Sequence, residues 1–440
     1  MTRSIRRVVV LGANGAMGSG AGAIFAAAGI PTMLLARTLE KAESGRARAE
    51  QLTKNEAARA LLARSIEVGT YASELGYALA GADLVLEAVT EDLATKREVF
   101  GLVDRLRGDD TIVATVSSGL SIAALCSERS ESFRRHFLGI HLFNPPTVIL
   151  GCELIAHAQT DPGIVAVARD FLTSSVGREV VETRDTPAFA GNRLGFKLLN
   201  EVAQLAEHHG VAYMDQLVGP HTGRALAPLA TIDLVGWDVH KAIVDNLHAH
   251  TRDIAHEAFE LPAYMQRGIA RGHLGRKTRD RGGFFRVEGK GPEARTFVLD
   301  PASGDYRPIA ELAPPLPAFV ERMRASLKAG RRIGAMDILC TADGPEAELL
   351  RRIVLGYISY GLGLVGEVVE RARDIDRIMG FGFNWAPPGM LADAIGPGRT
   401  ILLLDRLNLP VPTCLLEAAT HQRPLFNEPD VDGGRFFAAA

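Results

Sequence analysis

Residues 8–20 read VVVLGANGAMGSG, an apolar β-branched run followed at once by a cluster of glycines. The run predicts a buried strand, and the small residues that follow (21–29, AGAIFAAAG) predict a helix. A glycine turn between a strand and a helix lets the backbone approach a pyrophosphate, whose charge then lies at the helix N-terminus. Gly12, Gly15 and Gly18 are therefore candidates for nucleotide binding, with an ordinary flexible turn as the alternative.

Three more apolar stretches predict strands of the same sheet. They lie at residues 32–35, 83–89 (DLVLEAV) and 111–116 (TIVATV), with charged helical segments between them. Strands separated by helices of this kind form βαβ units, and continuous apolar runs fit strands that are covered on both faces. The N-terminal part is therefore expected to be an α/β, Rossmann-like, doubly wound parallel sheet.

The end of the second predicted strand bears on the choice of cofactor. It reads LLART and ends in Ala36, Arg37 and Thr38, where an NAD-binding fold usually has an acidic residue for the ribose hydroxyls. A guanidinium and a hydroxyl at that place suit a phosphate, while an ordinary solvated arginine is the alternative. NAD is the expected cofactor, and NADP stays open.

Polar residues farther along the chain suit the oxidation of an alcohol. In chain order they are Ser117, Ser118, His141, Asn144, Glu153 and Asn192. Histidine suits a base at neutral pH, a carboxylate can orient its ring, and short polar side chains can hold the carbonyl oxygen. Taken singly, each has a structural alternative: a buried histidine, a surface carboxylate at a strand edge, a turn cap, and a helix N-cap for Asn192.

The motifs and their order resemble the 3-hydroxyacyl-CoA dehydrogenase family. The matching segments are MGSG (17–20), AVTEDLATK (88–96), SSGLS, GIHLFNPP, DTPAFAGNR, TIDLVGWD (231–238) and HLGRKT (273–278). The resemblance covers essentially the whole chain. It implies that His141 is the general base and Glu153 its orienting carboxylate. It also implies that Ser118 and Asn192 hydrogen-bond the substrate oxygen and that Asn144 supports the site.

The resemblance also implies a set of cofactor contacts. The expected residues are Gly12, Gly15, Ala16, Met17, Gly18, Arg37, Glu91 and Lys96. The last two match positions that approach the nicotinamide ribose. The chain departs from the family at the glycine loop, which is one residue longer, at Ala36, and at Val116, where the family has an amide. Ser117 remains the alternative to Ser118 as the catalytic serine.

The C-terminal half predicts helices and an internal repeat. The repeated residues are Pro228/Pro388, Asp233/Asp393 and Gly236/Gly396, all offset by 160, and Asp215/Asp376, offset by 161. Equal spacings within similar helical patterns indicate a duplication, with chance matching as the alternative. The resemblance implies a long family form with two all-α domains, each like the C-terminal domain of 6-phosphogluconate dehydrogenase, and with no hydratase domain.

The expected domain organisation has four parts. A dinucleotide-binding domain spans 1–185, a first helical domain 186–286, and a second helical domain 346–440. The Gly/Pro-rich segment 287–345 is expected to be a connector of turns rather than a core. The second helical copy is expected to take the place of a partner subunit, so the chain is expected to be a monomer or a homodimer.

Composition limits the other classes of function. The 440 residues carry 49 Lys+Arg and 52 Asp+Glu, a net charge of −3, and none of the motifs above supplies a basic patch for nucleic acid. The four cysteines lie far apart, which indicates neither a disulfide framework nor a metal site and fits a reducing compartment. No signal peptide or membrane-spanning run is apparent, so a cytoplasmic protein without nucleic-acid or membrane partners is expected.

The leading functional hypothesis is an NAD(P)-dependent 3-hydroxyacyl-CoA dehydrogenase of fatty-acid β-oxidation, with an acyl-CoA as substrate. Two alternatives stay open. One is a non-catalytic nucleotide- or CoA-binding protein with the same fold, and the other is a dehydrogenase of a small free 3-hydroxy acid.

Overall fold

The computed structural model describes residues 4–289, 291–428 and 431–440. The chain forms two compact units. Unit 1 comprises Met1–Phe189 with Phe381–Phe383, and unit 2 comprises Ala190–Gly380 with Asn384–Ala440. Unit 1 thus extends a few residues beyond the boundary expected at 185. Apart from residues 186–189 and Phe381–Phe383, the segments expected as two helical domains and a connector lie within unit 2.

The strands of unit 1 are β1 (Val8–Leu11), β2 (Thr32–Ala36), β3 (Ile66–Thr70), β4 (Leu84–Glu87), β5 (Ile112–Thr115), β6 (Phe137–Leu142), β7 (Gly151–Ala156) and β8 (Glu179–Arg184). Within the described residues they form an eight-stranded sheet in the order β3-β2-β1-β4-β5-β6-β7-β8. Neighbouring strands are parallel except β6 and β7, which are antiparallel. Because β1 pairs with β2 on one side and with β4 on the other, the winding of the sheet reverses beside β1. Ligands of such sheets bind at this point, beyond the carboxyl ends of the strands.

The helices of unit 1 are α1 (Ala16–Ala27), α2 (Leu39–Leu52), α3 (Glu56–Ser65), α4 (Leu75–Ala80), α5 (Leu93–Leu106), α6 (Ile122–Cys126), α7 (Glu131–Arg135) and α8 (Pro162–Asp170), the last continued by a π-helical turn, Phe171–Ser175. They cover both faces of the sheet. Val8 and Val10 pack in a core with Ile24 of α1. Val9 packs in a second core with Phe100 of α5. Burial of both faces explains why β1 is a continuous apolar run.

The helices of unit 2 are α9 (Gly191–His209), α10 (Val211–Leu217), α11 (Pro228–Val235), α12 (Trp237–His250), α13 (Ala263–Ala270), α14 (Ile309–Leu312), α15 (Ala318–Lys328), α16 (Arg332–Thr341), α17 (Pro345–Gly363), α18 (Ala372–Ile378), α19 (Pro388–Ile395), α20 (Pro397–Arg406) and α21 (Thr413–His421). Short 3-10 or π-helical turns cover Pro220–Thr222, His256–Phe259, Gly275–Lys277, Gly291–Glu293, Met379–Phe383 and Gly433–Phe437. We call α9–α13 the first helical set and α17–α21 the second. No described helix combines the length and apolar character needed to cross a membrane.

The aspartates expected to be repeated make matching contacts in the two helical sets. Asp215 accepts hydrogen bonds of 2.7 and 2.9 Å from the amides of residues 229 and 230 at the start of α11, and Asp376 accepts one of 2.8 Å from the amide of residue 389 at the start of α19. Asp233 accepts from the amides of residues 284 and 285, and Asp393 from those of residues 425 and 426. These contacts support the proposal that the two sets arose by duplication.

A buried arginine joins the two helical sets. Arg193 of α9 is 2% exposed and donates hydrogen bonds of 2.7 Å to both Asp253 and Glu367. Its Nε donates to the hydroxyl of Tyr360 on α17 at 3.0 Å, and that hydroxyl donates to Asp253 at 2.8 Å. The Asp253 and Glu367 side chains are 20% and 56% exposed, so Arg193 is the member of the network whose charge is buried and has to be offset. The second set therefore supplies part of the neutralisation of a charge in the first.

Segment 287–345 is not the coreless connector that its Gly/Pro content predicts. It contains most of a small antiparallel sheet of β9 (Phe285–Glu288), β10 (Arg295–Leu299) and β11 (Tyr306–Pro308), followed by α14, α15 and α16. Val298, Val320 and Met323 are fully buried. The interpretation was wrong because most of the glycines and prolines lie in turns or at the ends of short elements, and the apolar residues of each element are too few to stand out in the sequence.

Candidate functional site

The glycine turn after β1 lies against the end of β4. Gly12 has a φ of +87°, and a Cβ built on it would lie 2.4 Å from the carbonyl oxygen of Ala88. A Cβ on Gly18 would lie 2.3 Å from the carbonyl oxygen of Gly12. Both positions therefore exclude any side chain, and the turn keeps its backbone exposed where a bulkier residue would fill the space.

The N-terminus of α1 points out of this turn. Gly15 is the residue before the helix, Ala16 and Met17 are its first two residues, and within the described chain no side chain caps it. The positive end of the helix dipole and its unpaired amides suit a phosphate. A cavity of about 450 Å³ adjoins the turn and is lined by Gly12, Gly15, residues of β2 and α5, and the residues that follow β4. Glycines that a Cβ would obstruct, an uncapped helix and a cavity of this size fit a dinucleotide.

The end of β2 carries one of the two residues expected to bind a phosphate there. Ala36 is buried, and Arg37 is exposed and lines the cavity. The Thr38 hydroxyl accepts a hydrogen bond of 3.3 Å from the Lys41 amide and caps α2. The expectation of phosphate binding therefore depends on Arg37, because Thr38 has a structural role in the helix.

Tyr71, which sequence reasoning missed, also lines the cavity. Its hydroxyl accepts a hydrogen bond of 2.9 Å from the amide of Gly12. Burial raises the pKa of Tyr71, so the hydroxyl is neutral at physiological pH and keeps its proton for a second partner. The residue follows β3, a strand with an alternating, half-exposed pattern that the apolar runs did not reveal.

A buried ion pair lies at the end of β4. The Lys96 ammonium on α5 lies 2.8 and 3.0 Å from the two carboxylate oxygens of Glu87, and both side chains are fully buried. Thr115 on β5 donates to Glu87 at 2.6 Å. Burial raises the pKa of Glu87, and Lys96 opposes this rise. The signal for Glu87 in the sequence is a charge between apolar residues in DLVLEAV, where the other charge, Asp83, stands at the start.

The same lysine reaches the serine turn through Glu91. Lys96 lies 3.2 Å from Glu91, which accepts hydrogen bonds from the Ser117 hydroxyl at 2.5 Å and the Ser118 amide at 2.9 Å. Burial acts to raise the pKa of Glu91, but Lys96 and the serine turn outweigh it and hold the pKa below its usual value. The Ser117 oxygen also accepts from the Leu120 amide at 3.1 Å. The two serines thus differ, since the Ser117 hydroxyl holds Glu91 and the turn.

His141 and Glu153 form a directly paired couple across β6 and β7. The antiparallel register sets the two residues opposite each other, and Nδ1 of His141 lies 2.6 Å from a carboxylate oxygen of Glu153. His141 is 3% exposed and Glu153 is fully buried. Glu153 is therefore not a surface charge at a strand edge, because β7 lies between β6 and β8. A carboxylate on Nδ1 leaves Nε2 as the nitrogen that can exchange a proton.

Aromatic rings surround the histidine. The ring centres of Phe143 and Phe189 lie 4.8 and 5.6 Å from that of His141. Phe189 and its neighbour Ala188 both have left-handed backbone conformations, with φ of 55° and 56°. Asn144, two residues after the end of β6, is exposed. The apolar surroundings strengthen the electrostatic interaction of the pair.

Asp185 and Asn192 have positions that their sequence context did not reveal. The Asp185 carboxylate accepts hydrogen bonds from the Ser121 hydroxyl and the amides of residues 122 and 123, so it binds the start of α6. Asn192 is buried and is the second residue of α9, whose N-cap is Ala190. The alternative that Asn192 caps the helix is therefore wrong.

Five site elements follow strands whose carboxyl ends share one edge of the sheet. The glycine turn follows β1, Arg37 follows β2, Glu87 ends β4, the serine turn follows β5, and His141 lies near the end of β6.

Residues 7–186 match the family model described as "3-hydroxyacyl-CoA dehydrogenase, NAD binding domain", and residues 189–284 match "3-hydroxyacyl-CoA dehydrogenase, C-terminal domain". The chain belongs to the 3-hydroxyacyl-CoA dehydrogenase family.

Individual members of the family resemble the chain over different lengths. A probable 3-hydroxyacyl-CoA dehydrogenase of Deinococcus radiodurans is 34% identical and covers 62% of this chain and 81% of its own. A probable 3-hydroxyacyl-CoA dehydrogenase of Bacillus subtilis is 30% identical and covers 95% of this chain. The chain spans only 54% of that relative's length. The structure of a 3-hydroxybutyryl-CoA dehydrogenase from Escherichia coli shares the fold, with a TM-score of 0.70, 19% identity, and coverage of 95% of this chain and 99% of that one.

The family assignment identifies the cofactor as NAD and the sheet of unit 1 as its binding domain. A second cavity of unit 1, about 570 Å³, lies among α1, the turn at residues 52–55 and residues 174–178. Arg178 borders it and donates hydrogen bonds of 2.9 and 3.0 Å to the carbonyls of Pro146 and Ile149. Arg178 thereby fixes the loop that follows His141. The described residues contain no cluster of His, Cys, Asp or Glu suited to a metal ion.

Proposed function

We propose that the chain oxidises 3-hydroxyacyl-CoA esters to 3-oxoacyl-CoA esters with NAD, the reaction of this type in fatty-acid β-oxidation. The observation that carries the proposal is the buried His141–Glu153 pair, 2.6 Å apart at the edge of the sheet where the nucleotide turn also lies. A protein that only bound a nucleotide would need no such pair, and burying a carboxylate without a partner would be costly.

The pair suits removal of the proton from the substrate hydroxyl. As the O–H bond breaks, Nε2 of His141 takes the proton and the oxygen becomes a carbonyl. The C–H bond on the same carbon breaks, and its hydrogen leaves with the electron pair as a hydride, for which bound NAD would be the acceptor. Glu153 holds the ring through Nδ1 and stabilises the imidazolium that forms. In the reverse direction His141 returns the proton to the alcohol oxygen.

The substrate oxygen would be held by Ser118 and Asn192, as the family resemblance implies. The Ser117 hydroxyl donates its proton to Glu91 and accepts from the Leu120 amide, so it has no proton left for the substrate oxygen. The same contacts make Ser117 a positioning residue for Glu91. Asn144, which is exposed, would support the substrate from the loop after β6.

The cofactor would be held by the glycine turn and α1, with Glu91 directed to the nicotinamide ribose as in the family and the fully buried Lys96 holding Glu91 from 3.2 Å. The cavity beside Gly12 gives room for the adenosine end, and Arg37 on its rim brings no negative charge that would repel a 2′-phosphate. We therefore propose NAD as the working cofactor with measurable use of NADP. The 570 Å³ cavity bordered by Arg178 is the proposed place of the CoA portion.

The test follows oxidation of NADH, and in parallel of NADPH, with acetoacetyl-CoA and with free acetoacetate. Turnover of the CoA ester is expected, and His141→Ala should lower it by a factor of at least about 10², since removal of a general base costs about 10²–10⁴. NADH affinity should stay within about twofold. His136→Ala, in the same unit, is the matched control, since the ring of His136 hydrogen-bonds locally to the Ser132 carbonyl.

Three outcomes would contradict parts of this proposal. Equal loss of turnover and NADH affinity in His141→Ala would show that the histidine holds the fold or the cofactor. Turnover of free acetoacetate alone would favour the small-acid dehydrogenase. NADH binding without turnover of short or long CoA esters would favour the non-catalytic binding protein.

A further inference from the structure

A strongly basic stretch lies in unit 2, away from the motifs of the nucleotide site. Residues 267–286 contain seven Lys or Arg and one acidic residue, in a chain whose net charge is −3. Lys277 pairs with Asp238 at 2.8 Å, and Arg281 donates to the carbonyl of Arg271. These two basic side chains therefore have partners within the fold, and the others raise the question of what they bind.

Three of the arginines line a cavity of about 930 Å³. Arg276 and Arg279 are exposed, and within the described part of the chain no hydrogen bond or ion pair holds their guanidinium groups. Arg286 is half-buried, lies 4.4 Å from the ring centre of Tyr306, and pairs with the exposed Glu288 at 2.7 Å. Among the described residues, its buried Nε has no hydrogen-bond partner.

Two carboxylates, Asp233 and Asp280, line the cavity beside the three arginines. The Asp233 carboxylate accepts hydrogen bonds from the amides of residues 284 and 285 and from the Trp237 indole, so it is occupied by the wall itself. Asp280 is the other carboxylate of the lining, and it is exposed. Phe285, Val287 and other apolar side chains complete the lining. The cavity thus combines several guanidinium groups with an apolar wall.

The second helical set shows that the fold does not require these arginines. Asp393 binds the amides of residues 425 and 426 as Asp233 binds those of 284 and 285, and a cavity of about 400 Å³ lies beside it. That cavity is lined by a single arginine, Arg423, among the described residues. The matching aspartate contacts are therefore formed without an arginine cluster, so these contacts do not account for the cluster in the first set.

We propose that the cavity beside Asp233 binds a phosphate ester that carries more than one negative charge, with its phosphates on Arg276 and Arg279. Guanidinium groups bind phosphate oxygens in pairs of hydrogen bonds, and several of them suit several charges better than a single carboxylate does. Phe285 and Val287 would contact the organic part of the ligand. Coenzyme A and a nucleoside triphosphate share this chemistry, and the site is separate from the glycine turn of unit 1.

The test is hydrogen–deuterium exchange of the full chain with coenzyme A, ATP or palmitate, read in peptides that cover residues 275–289. Coenzyme A or ATP is expected to slow exchange there, and the more effective of the two identifies the source of the phosphates. The double variant Arg276→Gln/Arg279→Gln should raise the midpoint concentration at least about tenfold, because each lost charge-assisted contact is worth about that factor. Protection of residues 12–20, at the glycine turn, should not change.

The matched control is Arg322→Gln/Arg331→Gln, which removes the same charge from exposed positions elsewhere in unit 2. It should leave the midpoint within about twofold. Equal protection by palmitate would overturn phosphate recognition. An equal rise of the midpoint concentration in both double variants would show that the overall charge of the chain, and not the cavity, determines binding. No protection by either phosphate ester would refute the site. None of these outcomes depends on turnover, so they are distinct from failure of the proposed dehydrogenase reaction.

Discussion

Replacement of Gly12 by alanine should damage unit 1 through two separable effects. Gly12 has a φ of +87°, and the new Cβ would lie 2.4 and 2.6 Å from the carbonyl oxygen and carbon of Ala88 and 2.8 Å from the amide nitrogen of Val89. The left-handed backbone costs an alanine about 1–2 kcal/mol. All three close atoms are backbone, so relief requires movement of the end of β4, for which about 1–3 kcal/mol is typical of overpacking.

Gly29→Ala separates these effects. Gly29 has a φ of +77°, but nothing lies within 4 Å of its Cβ position. Both variants therefore share the cost of the left-handed backbone and the restriction of the unfolded chain by the added methyl group. The difference between their free energies of unfolding isolates the steric overlap, and we expect Gly12→Ala to be less stable than Gly29→Ala by about 1–3 kcal/mol.

Urea unfolding followed by far-UV circular dichroism measures this difference in stability, and NADH titration measures the affinity of the turn for the cofactor. Both tryptophans, Trp237 and Trp385, lie in unit 2, so their fluorescence serves as an internal reference that unit 1 variants should leave unchanged. NADH affinity should fall in Gly12→Ala and persist in Gly29→Ala. Equal stability and equal NADH affinity of the two variants would refute the argument that the turn needs glycine for close approach.

Two further predictions concern carboxylates with structural roles. Asp185→Ala should lower the stability of unit 1 by about 1–2 kcal/mol, because α6 loses the acceptor of its first amides. Asp92→Ala removes an exposed cap of α5 and should lower it by less. Thermal unfolding compares the two variants, and a greater loss in Asp92→Ala would contradict the reasoning. Burial raises the pKa of Asp215 to about 7. Between about pH 4 and pH 7 the carboxyl is therefore ionised in the unfolded state and protonated in the folded state, so the free energy of unfolding falls as the pH rises. The destabilisation caused by Asp215→Asn, measured by urea unfolding with tryptophan fluorescence, should therefore be smaller at about pH 8 than at about pH 5, and an equal or larger loss at the higher pH would count against the raised pKa.

The sequence predicted the elements whose signals are local. A continuous apolar run followed by glycines predicted β1, its turn and α1, because burial on both faces and close backbone approach each demand particular residue types at adjacent positions. The edge strand β3 was not predicted, because its half-exposed sequence, IEVGT, contains no apolar run. The antiparallel direction of β7 was also not predicted, because it depends on the path of the loop between β6 and β7.

The chemistry of the site was predictable only where motifs carried it. His141 and Glu153 were named from the sequence, and the register of β6 and β7 supplies the physical reason for their separation of twelve residues. Glu87, Tyr71 and Asp185 act through partners elsewhere in the chain, such as Lys96 and the start of α6. Pairings of that kind are set by strand order, which no local pattern specifies.

The arginine between the two helical sets has a consequence for how such a chain can change over generations. Arg193 belongs to the segment matched by the family's C-terminal domain, yet Glu367 and Tyr360, which help to neutralise it, lie beyond that segment. A deletion that removed the second set would leave Arg193 with Asp253 alone and would also uncover the apolar face of α9. Shortening the gene would thus remove one of the two carboxylates paired with Arg193 and an apolar contact of α9 at the same time, which favours retention of the longer form once these contacts exist.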